Sequence, residues 1–499
     1  MKGLKKETIL NWLSNKENLG LFALILFTIA LRIYYFVLTN NQPLWWDEAD
    51  YMAMAKSWAF GTHYISDPVR PILFSLISSL FFKIANSEFL PRLFIEFLSF
   101  LSVIGTYLLG KEIYNKKIGL IAGFMMSVFY LNLFFGQRLL VDIPSLTFFI
   151  FSALFFYRYF KKNSKKDLYI ATIITAIGTL FKINTALILI GIVIYFLFTK
   201  KISCLKRKEI WISILIFILI LLPYLIWGYF EFGSFVLSSA ASRNFASTGF
   251  LFTGISVLKN YLCYFPTYLF SLSGTGIFIA LSAFLLIALF LIFLFNLVIG
   301  FDLIVKEKKN SPELFLLLLF LVPLILTSFL IGHNENRYIL NSFPAVFIIL
   351  SSFLITLFNF IKKNSKFLAV LLIVALLSVF AYAQLQYSYN LTENKMTSYS
   401  QVKDAGIWIK SNLNKENSIM SNSPFQIQYY SDVKTLSFPK TEEEFLVEKE
   451  HLSHIVLSGF EAMPEWVQPY IAERNLNISK IFFTNDANHQ PIVIIYDLN

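Results

Sequence analysis

The feature that most constrains the fold of this chain is the alternation of long apolar stretches with short charged linkers. Only 15% of its 499 residues are charged, whereas soluble domains carry about 25%. A helix needs about 20 apolar residues, with a range of about 17–25, to cross a bilayer. Eleven stretches meet or approach this length, and we predict spans at about 19–38, 91–109, 118–135, 143–160, 168–181, 184–199, 210–230, 275–300, 313–332, 338–361 and 367–386.

The distribution of basic residues predicts how these spans are oriented. The N-terminus and the linkers after the second, fourth, sixth, eighth and tenth spans hold 23 Lys and Arg, and the opposite linkers hold nine although they are longer. Basic residues are retained on the cytoplasmic side. We therefore predict a multi-pass plasma-membrane protein with a cytoplasmic N-terminus and an extracytoplasmic C-terminal region.

The apolar segment 71–85 is too short to be assigned as a span. If it crossed the membrane, every later basic cluster would lie outside. We therefore predict that 48–60 and 71–85 are helices at the outer membrane interface, within a first outer loop of 39–90. The 168–181 and 184–199 segments are also short, and they are either two spans or one element broken around Lys182.

The last 110 residues are polar and carry short alternating patterns. Helices are predicted near 401–413 and 441–450, and strands at 418–421, 454–457, 478–483 and 491–496. The predicted fold class is thus an all-α polytopic membrane bundle, residues 1–389, followed by a small extracytoplasmic α/β domain, residues 390–499. A second long outer loop is expected at 231–274.

The carboxylate pair Asp47 and Glu48 is the first candidate for chemistry. It follows Trp45 and Trp46 in the first outer loop, where an interfacial carboxylate can act on a lipid headgroup as a general base. The alternative is that Asp47 only caps the predicted helix that starts there.

Four further charged residues are predicted to lie on the same outer face. Arg70 can fork onto a phosphate, or it is an arginine that snorkels to the headgroups. Asp142 is an acid at a helix start or only a helix cap, and Lys182 is a functional lysine at membrane depth or one that snorkels to the surface.

Arg337 either binds a phosphate or sugar or belongs to a solvated loop. We also predict that Tyr51, Arg138 and Tyr338 contact the substrate.

Several other kinds of function are disfavoured. The net charge of +11 is explained by membrane orientation and anionic lipid rather than by nucleic acid. Five scattered His and two Cys make no metal-ligand pattern, so no metal or other cofactor is expected, although the sequence does not exclude a divalent metal. Cys204 and Cys263 are predicted on opposite faces, without a disulfide. No glycine-rich phosphate loop is present.

These residues resemble the motifs of integral-membrane glycosyltransferases of the C superfamily. The nearest branch is the group of protein O-mannosyltransferases and aminoarabinose lipid A transferases, of the glycosyltransferase family 39 type. Trp46–Ala55 is similar to the first outer-loop motif, an Asp-Glu pair followed by Tyr, and Arg70-Pro71 to the basic-proline element after it. Further similar elements are Pro91-Arg92-Leu93, 107–111, 118–122, Asp142, Phe181-Lys182 and Arg337-Tyr338 with Pro344.

The chain also departs from the pattern of that superfamily. Ile72 stands where the second proline after Arg70 is expected. The Trp-Trp-Asp-Tyr-Gly motif of oligosaccharyltransferases is absent from the sequence. Transfer of a large glycan to asparagine is therefore disfavoured.

The resemblance implies an inverting transfer of a monosaccharide, hexosyl or pentosyl, from a polyprenyl-phosphate donor at the outer face. Asp47 would take the proton of the acceptor, and Glu48 and Asp142 would orient base or acceptor. Arg70, Lys182 and Arg337 would neutralise the leaving phosphate. The expected partners are membrane lipids, the donor, and an acceptor that is a lipid, a glycan or a protein. A secondary transporter and a polyprenyl-phosphate flippase or ligase remain alternatives.

Overall fold

The chain is described here from a computed structural model, over residues 15–64, 70–199, 206–233, 250–270, 311–331, 333–414, 417–484 and 489–498. The membrane part contains fourteen α-helices within these residues, besides the short 3-10 helices Ile183–Ala186 and Asn336–Ser342. They are α1 (Lys16–Thr39), α2 (Trp46–Phe60), α3 (Leu73–Ile84), α4 (Phe89–Ile113), α5 (Lys116–Val128), α6 (Tyr130–Phe135), α7 (Asp142–Lys162), α8 (Lys165–Phe181), α9 (Leu187–Thr199), α10 (Lys208–Phe232), α11 (Phe250–Phe270), α12 (Pro312–Ile331), α13 (Phe343–Lys362) and α14 (Lys366–Lys395).

Ten of the eleven predicted spans are helical, and the remaining one, 275–300, lies outside the described residues. Within the described ranges, seven helical segments are long and apolar enough to cross a membrane. Three predicted spans do not form single helices of that length, namely 118–135, 168–181 and 184–199. The chain breaks at Phe129, between α5 and α6, and at Lys182, between α8 and α9. The apolar helical surfaces that remain exposed, as on α1 and α10, have the character of lipid-facing surfaces.

The first outer loop contains both expected helices, α2 and α3, packed against each other. Ser75 Oγ of α3 donates to the Tyr51 carbonyl of α2 at 3.0 Å, and the Tyr51 and Phe74 rings meet edge to face. The second long loop is not entirely irregular, because α11 occupies its described part and packs against α12.

The C-terminal domain is a five-stranded sheet with helices on both faces. Its helices are α15 (Ser400–Asn412), α16 (Pro424–Ser431), α17 (Glu442–Glu448) and α18 (Val467–Arg474), and its strands are β1 (Ser418–Ser421), β2 (Lys434–Leu436), β3 (Leu452–Ser458), β4 (Ile478–Phe483) and β5 (Pro491–Asp497). The strand order is β2-β1-β3-β5-β4, with β1 parallel to β2 and β3, and β5 antiparallel to β3 and β4.

Side-chain alternation along the strands builds two cores. Ile419 points into a core with α15 and α16, and its neighbour Met420 into a core with α17 and α18. The predicted fold class, a polytopic helical bundle with a small C-terminal α/β domain, is confirmed. The helix α14 continues to Lys395, past the predicted start of that domain at 390, and the turn expected at Asn485-Asp486 lies outside the described residues.

Candidate functional site

Asp47 lies between two arginines that are distant from it and from each other in sequence. Its Oδ1 accepts from Arg70 Nη2 at 2.7 Å, and its Oδ2 pairs with Arg337 Nη1 at 2.8 Å. Helix α2 begins at Trp46 with Trp45 as its cap residue, so Asp47 is a first-turn residue rather than the cap. Both of its carboxylate oxygens are used by cations across the structure.

Arg70 joins a second acid that sequence reasoning missed. Its Nε contacts Asp50 Oδ2, and Asp50 Oδ1 accepts from the Tyr64 hydroxyl at 2.7 Å. Asp50 is fully buried. Asp47 and Asp50 are three residues apart on α2 and therefore share a helix face, which was the available signal. The Tyr51 ring lies 5.2 Å from the Arg70 guanidinium and forms the buried wall beside it.

Asp142 and Lys182 form the second half of the cluster. Asp142 opens α7, and its Oδ1 pairs with Lys182 Nζ at 2.5 Å. Lys182 is in extended conformation at the break between α8 and the 3-10 turn Ile183–Ala186, and this break turns the lysine side chain towards α7. The predicted discontinuity at Lys182 therefore serves to place a cation.

Tyr338 connects the two halves. Lys182 Nζ lies 4.8 Å from the centre of the Tyr338 ring, and the Arg337 guanidinium carbon lies 5.1 Å from it. Glu335 completes this group, because its carboxylate contacts Arg337 Nε at 2.5 Å and accepts from the Tyr338 hydroxyl at 3.1 Å. His333 Nε2 lies 3.3 Å from the same carboxylate.

Glu48 and Arg138 lie behind this cluster rather than in it. Glu48 is fully buried and accepts from the backbone N–H groups of Trp45 at 2.7 Å and Leu139 at 2.6 Å. Arg138 pairs with Glu48 at 3.4 Å and stacks on the Trp45 ring at 3.9 Å. This buried pair fixes the start of α2 against the chain that leads into α7, and so fixes the position of Asp47.

The electrostatics of the cluster keep its two half-buried acids, Asp47 and Glu335, ionised. Burial raises the pKa of Asp47, but the charges and hydrogen bonds of Arg70 and Arg337 outweigh burial and lower that pKa to about 2. The same balance, with His333 and Arg337 as partners, lowers the pKa of Glu335 to about 2. Three cations and four carboxylates meet here.

The part of the chain that the structure describes contains no set of side chains that could bind a metal ion. No three His, Cys, Asp or Glu side chains come together there in a way that could hold an ion. Within the same ranges, Cys263 is free and exposed, and Cys204 falls outside them.

Comparison with known proteins shows which family model and which folds the chain is similar to. The family model described as dolichyl-phosphate-mannose-protein mannosyltransferase matches residues 69–227. The chain superposes on ArnT from Cupriavidus metallidurans bound to undecaprenyl phosphate, with a TM-score of 0.65 and 11% identity, over 95% of this chain and 98% of that one. No curated protein matched the chain.

A second solved structure shares the fold. The archaeal oligosaccharyltransferase AglB from Archaeoglobus fulgidus, in complex with an inhibitory peptide and a dolichol-phosphate, superposes with a TM-score of 0.60 and 14% identity, over 98% of this chain and 75% of that one. The expected resemblance to C-superfamily membrane glycosyltransferases is confirmed, as is the prediction of an enzyme of the glycosyltransferase class. The roles of individual residues stay predictions.

Proposed function

We propose that the chain transfers a monosaccharide from a polyprenyl-phosphate donor to an acceptor at the outer membrane face, with inversion at the anomeric carbon. The observation that carries this proposal is the placement of Asp47 between Arg70 and Arg337, with Lys182 beside them. A base and three cations at one place suit a reaction in which a proton leaves an acceptor while negative charge develops on a phosphate.

In the proposed reaction, Arg70, Arg337 and Lys182 bind the donor phosphate. The acceptor oxygen attacks the anomeric carbon as the bond from that carbon to the phosphate oxygen breaks. The acceptor proton passes to Asp47, and polyprenyl phosphate leaves with the electron pair of the broken bond. Attack opposite the leaving group inverts the configuration of the sugar.

The low pKa of Asp47 fits this sequence only if the donor changes its surroundings. A carboxylate with a pKa of about 2 accepts a proton poorly near neutral pH. A phosphate that draws Arg70 and Arg337 away removes the two partners that hold the pKa down, while burial continues to raise it. The base is then active only when the donor is in place, which limits proton uptake by the empty site.

The clustering of the charged residues favours transfer over transport. A transporter is expected to place its binding residues near the bilayer midplane on repeated halves. Here Asp47, Arg70 and Tyr64 lie on or beside α2, an element outside the helices that are long enough to span. The proposal therefore retains the transferase and not the secondary transporter.

The test compares purified wild type with Asp47→Asn. Both are supplied with polyprenyl-phosphate sugars and host membrane extract, and free polyprenyl phosphate is measured. We expect release by wild type and a loss of at least about 100-fold in the variant, the low end of general-base contributions. Asp404→Asn, which removes an exposed carboxylate of α15, is the matched control and should behave as wild type.

Two outcomes contradict the proposal. Equal release by Asp47→Asn and wild type would show that Asp47 is not the base. If wild type consumed none of the supplied donors although the host membrane extract is shown to be active, the proposal of a transferase would itself be wrong.

A further inference from the structure

The C-terminal domain presents the carboxyl ends of two parallel strands next to one another. Strand β1 pairs in parallel with β3, from Ile419 opposite His454 to Ser421 opposite Val456. In open α/β sheets, ligands bind just beyond the carboxyl ends of the strands. The segments that leave this edge are Asn422-Ser423, before α16, and Gly459-Phe460-Glu461, after β3.

This edge is adjacent to the Asp47 cluster. The Phe425 ring, at the start of α16, meets the Trp46 ring edge to face at 5.2 Å, and Trp46 precedes Asp47. The first turn of α16, at this edge, therefore packs directly against the start of the helix that carries the proposed base.

A preformed group of side chains occupies the edge. Tyr399 has a left-handed backbone, with φ +69°, which a bulky residue adopts only when its surroundings enforce it. Its ring lies 4.7 Å from the Phe460 ring, and its hydroxyl donates to Glu461 Oε1 at 2.8 Å. All three side chains are half-buried and so are accessible in part.

The backbone behind this group is pinned by Asn422. The buried Asn422 amide donates to the carbonyls of Ser458 at 2.7 Å and Glu461 at 2.8 Å, and its Oδ1 accepts from Ser458 N at 2.8 Å. The backbone of Glu461 is thus fixed at the strand end, and the Tyr399 hydroxyl orients its carboxylate, which reduces the cost of ordering the site when a ligand binds.

Unused hydrogen-bonding capacity lies at the same edge. Ser423 and Gln426 are fully buried, and neither Ser423 Oγ nor the two polar atoms of the Gln426 amide has a partner among the described residues. Buried polar groups are nearly always hydrogen-bonded. A hydroxyl or amide pair that stays unpartnered in the absence of ligand points to a partner that arrives from outside.

We propose that this edge, formed by Tyr399, Phe460, Glu461, Ser423 and Gln426, is the acceptor site, and that the acceptor it takes is a hydroxyl-rich glycan. An aromatic face packs against the C–H face of a sugar ring, the Glu461 carboxylate accepts from its hydroxyls, and hydroxyl and amide groups both donate and accept as sugar hydroxyls require. The inference rests on the proposed transfer reaction and names its acceptor. The acceptor hydroxyl loses its proton to Asp47, its oxygen bonds to the anomeric carbon of the sugar, and the bond from that carbon to the lipid phosphate breaks.

The test measures binding and not turnover. Fluorescently labelled oligosaccharides released from host envelope glycans are titrated, in the presence of polyprenyl phosphate, against full-length wild type, Glu461→Gln and Glu465→Gln. Glu465 is an exposed carboxylate in the same loop and is the matched control. We expect Glu461→Gln to weaken binding at least tenfold and Glu465→Gln to leave it within twofold of wild type.

A second measurement uses wild type alone, so that a misfolded variant cannot imitate the result. Carbodiimide labelling of carboxylates, read by mass spectrometry, should modify Glu461 less when the oligosaccharide is present and Glu465 equally with and without it. Equal labelling of Glu461 in both states, or binding of labelled envelope peptides in place of glycans, would overturn the inference. The Asp47→Asn variant should still bind the oligosaccharide, because Asp47 is not part of this edge. Binding is thus tested separately from the transfer reaction, which is tested by release of polyprenyl phosphate.

Discussion

At the scale of single residues, the site is defined by cations shared between carboxylates. Arg70 bridges Asp47 and Asp50, and Arg337 bridges Asp47 and Glu335. Sequence analysis located Asp47, Arg70 and Arg337, because an acid pair and basic residues stood out in outer linkers. It passed over Asp50, since an acid on a predicted helix face resembles an ordinary solvated residue until its arginine partner is known.

The pairing predicts how pH affects turnover. With the pKa of Asp47 at about 2 in the free enzyme, this carboxylate is ionised at every pH above that value, so kcat/KM should show no acid limb from Asp47 between about pH 5 and 8. In Arg337→Gln one lowering charge is lost while burial still raises the pKa. The acid limb of kcat/KM should therefore move to higher pH, together with a lower maximum.

The control for this pH profile is Arg474→Gln, which removes an exposed arginine at the end of α18. Its profile should overlay that of wild type. An Arg337→Gln profile that, like that of wild type, shows no acid limb between about pH 5 and 8 would show that Arg337 does not set the pKa of Asp47.

At the scale of elements, helix breaks and close helix contacts position the cluster. Lys182 reaches Asp142 because α8 ends there, a break that two short apolar segments already predicted. The short α16 was not predicted, since eight residues starting at Pro424 carry too little periodicity to distinguish a helix from a loop. Similarly, α11 was not predicted because its sequence mixes polar and aromatic residues.

Gly178 tests the close contact beside Lys182. A methyl group added there would lie 2.6 Å from both Phe148 Cβ and Thr185 Cγ2, so Gly178→Ala must push α7 and the turn after Lys182 away from α8. Overpacking of this kind costs about 1–3 kcal/mol. We expect a lower thermal midpoint in detergent and reduced turnover.

Gly191→Ala on α9 is the matched substitution, because the nearest atom to its added methyl group is 3.7 Å away. It should leave the thermal midpoint at or above that of wild type, since Ala favours a helix more than Gly. Equal midpoints for the two variants would show that the contact at Gly178 is not tight.

The two domains meet through α2 and α16. Lys56 Nζ of α2 donates to the Tyr429 carbonyl at 2.8 Å and to Asp432 Oδ1 at 3.1 Å, and Gln428 Nε2 donates to the His63 carbonyl at 2.6 Å. The helix that carries Asp47 and Asp50 is thus held from above by the C-terminal domain. This contact could not be read from the sequence because its partners come from opposite ends of the chain.

Lys56→Met should loosen this contact. The pair is nearly buried, with side-chain exposures of 12% and 14%, and a hydrogen bond to a charged group contributes about 1.5–3 kcal/mol. We expect faster amide hydrogen exchange in α16 and in the second half of α2. The control is Lys410→Met. Lys410 is the other cation paired with Asp432; its side chain is 47% exposed and lies within the C-terminal domain, so its removal should leave hydrogen exchange in α2 unchanged. Faster exchange of α2 in both variants would contradict a specific role for Lys56.

At the scale of the whole molecule, the chain is an apolar bundle with a small α/β domain attached to one end. The fold class could be predicted because hydropathy and strand alternation are local properties of the sequence. The orientation in the membrane remains a prediction from the distribution of Lys and Arg.

Cysteine accessibility tests that orientation. With Cys204 and Cys263 replaced by Ser, a single cysteine is placed at an exposed position, as Asp404→Cys or as Lys117→Cys. A membrane-impermeant maleimide should label Asp404→Cys in intact cells and Lys117→Cys only after the membrane is permeabilised. The opposite pattern would invert the topology and place the Asp47 cluster on the cytoplasmic face.

By itself, the sequence determined the apolar spans, their predicted sidedness, the small α/β domain and the acids and cations that the outer linkers contain, since each of these depends on residues close together in the chain. Only the tertiary structure decided which polar side chains meet: Asp47 with Arg70 and Arg337, Asp142 with Lys182, and Tyr399 with Glu461. The physical reason is that a helix face or strand pattern fixes where a side chain points along its own element, whereas the partner it meets is set by how distant elements pack.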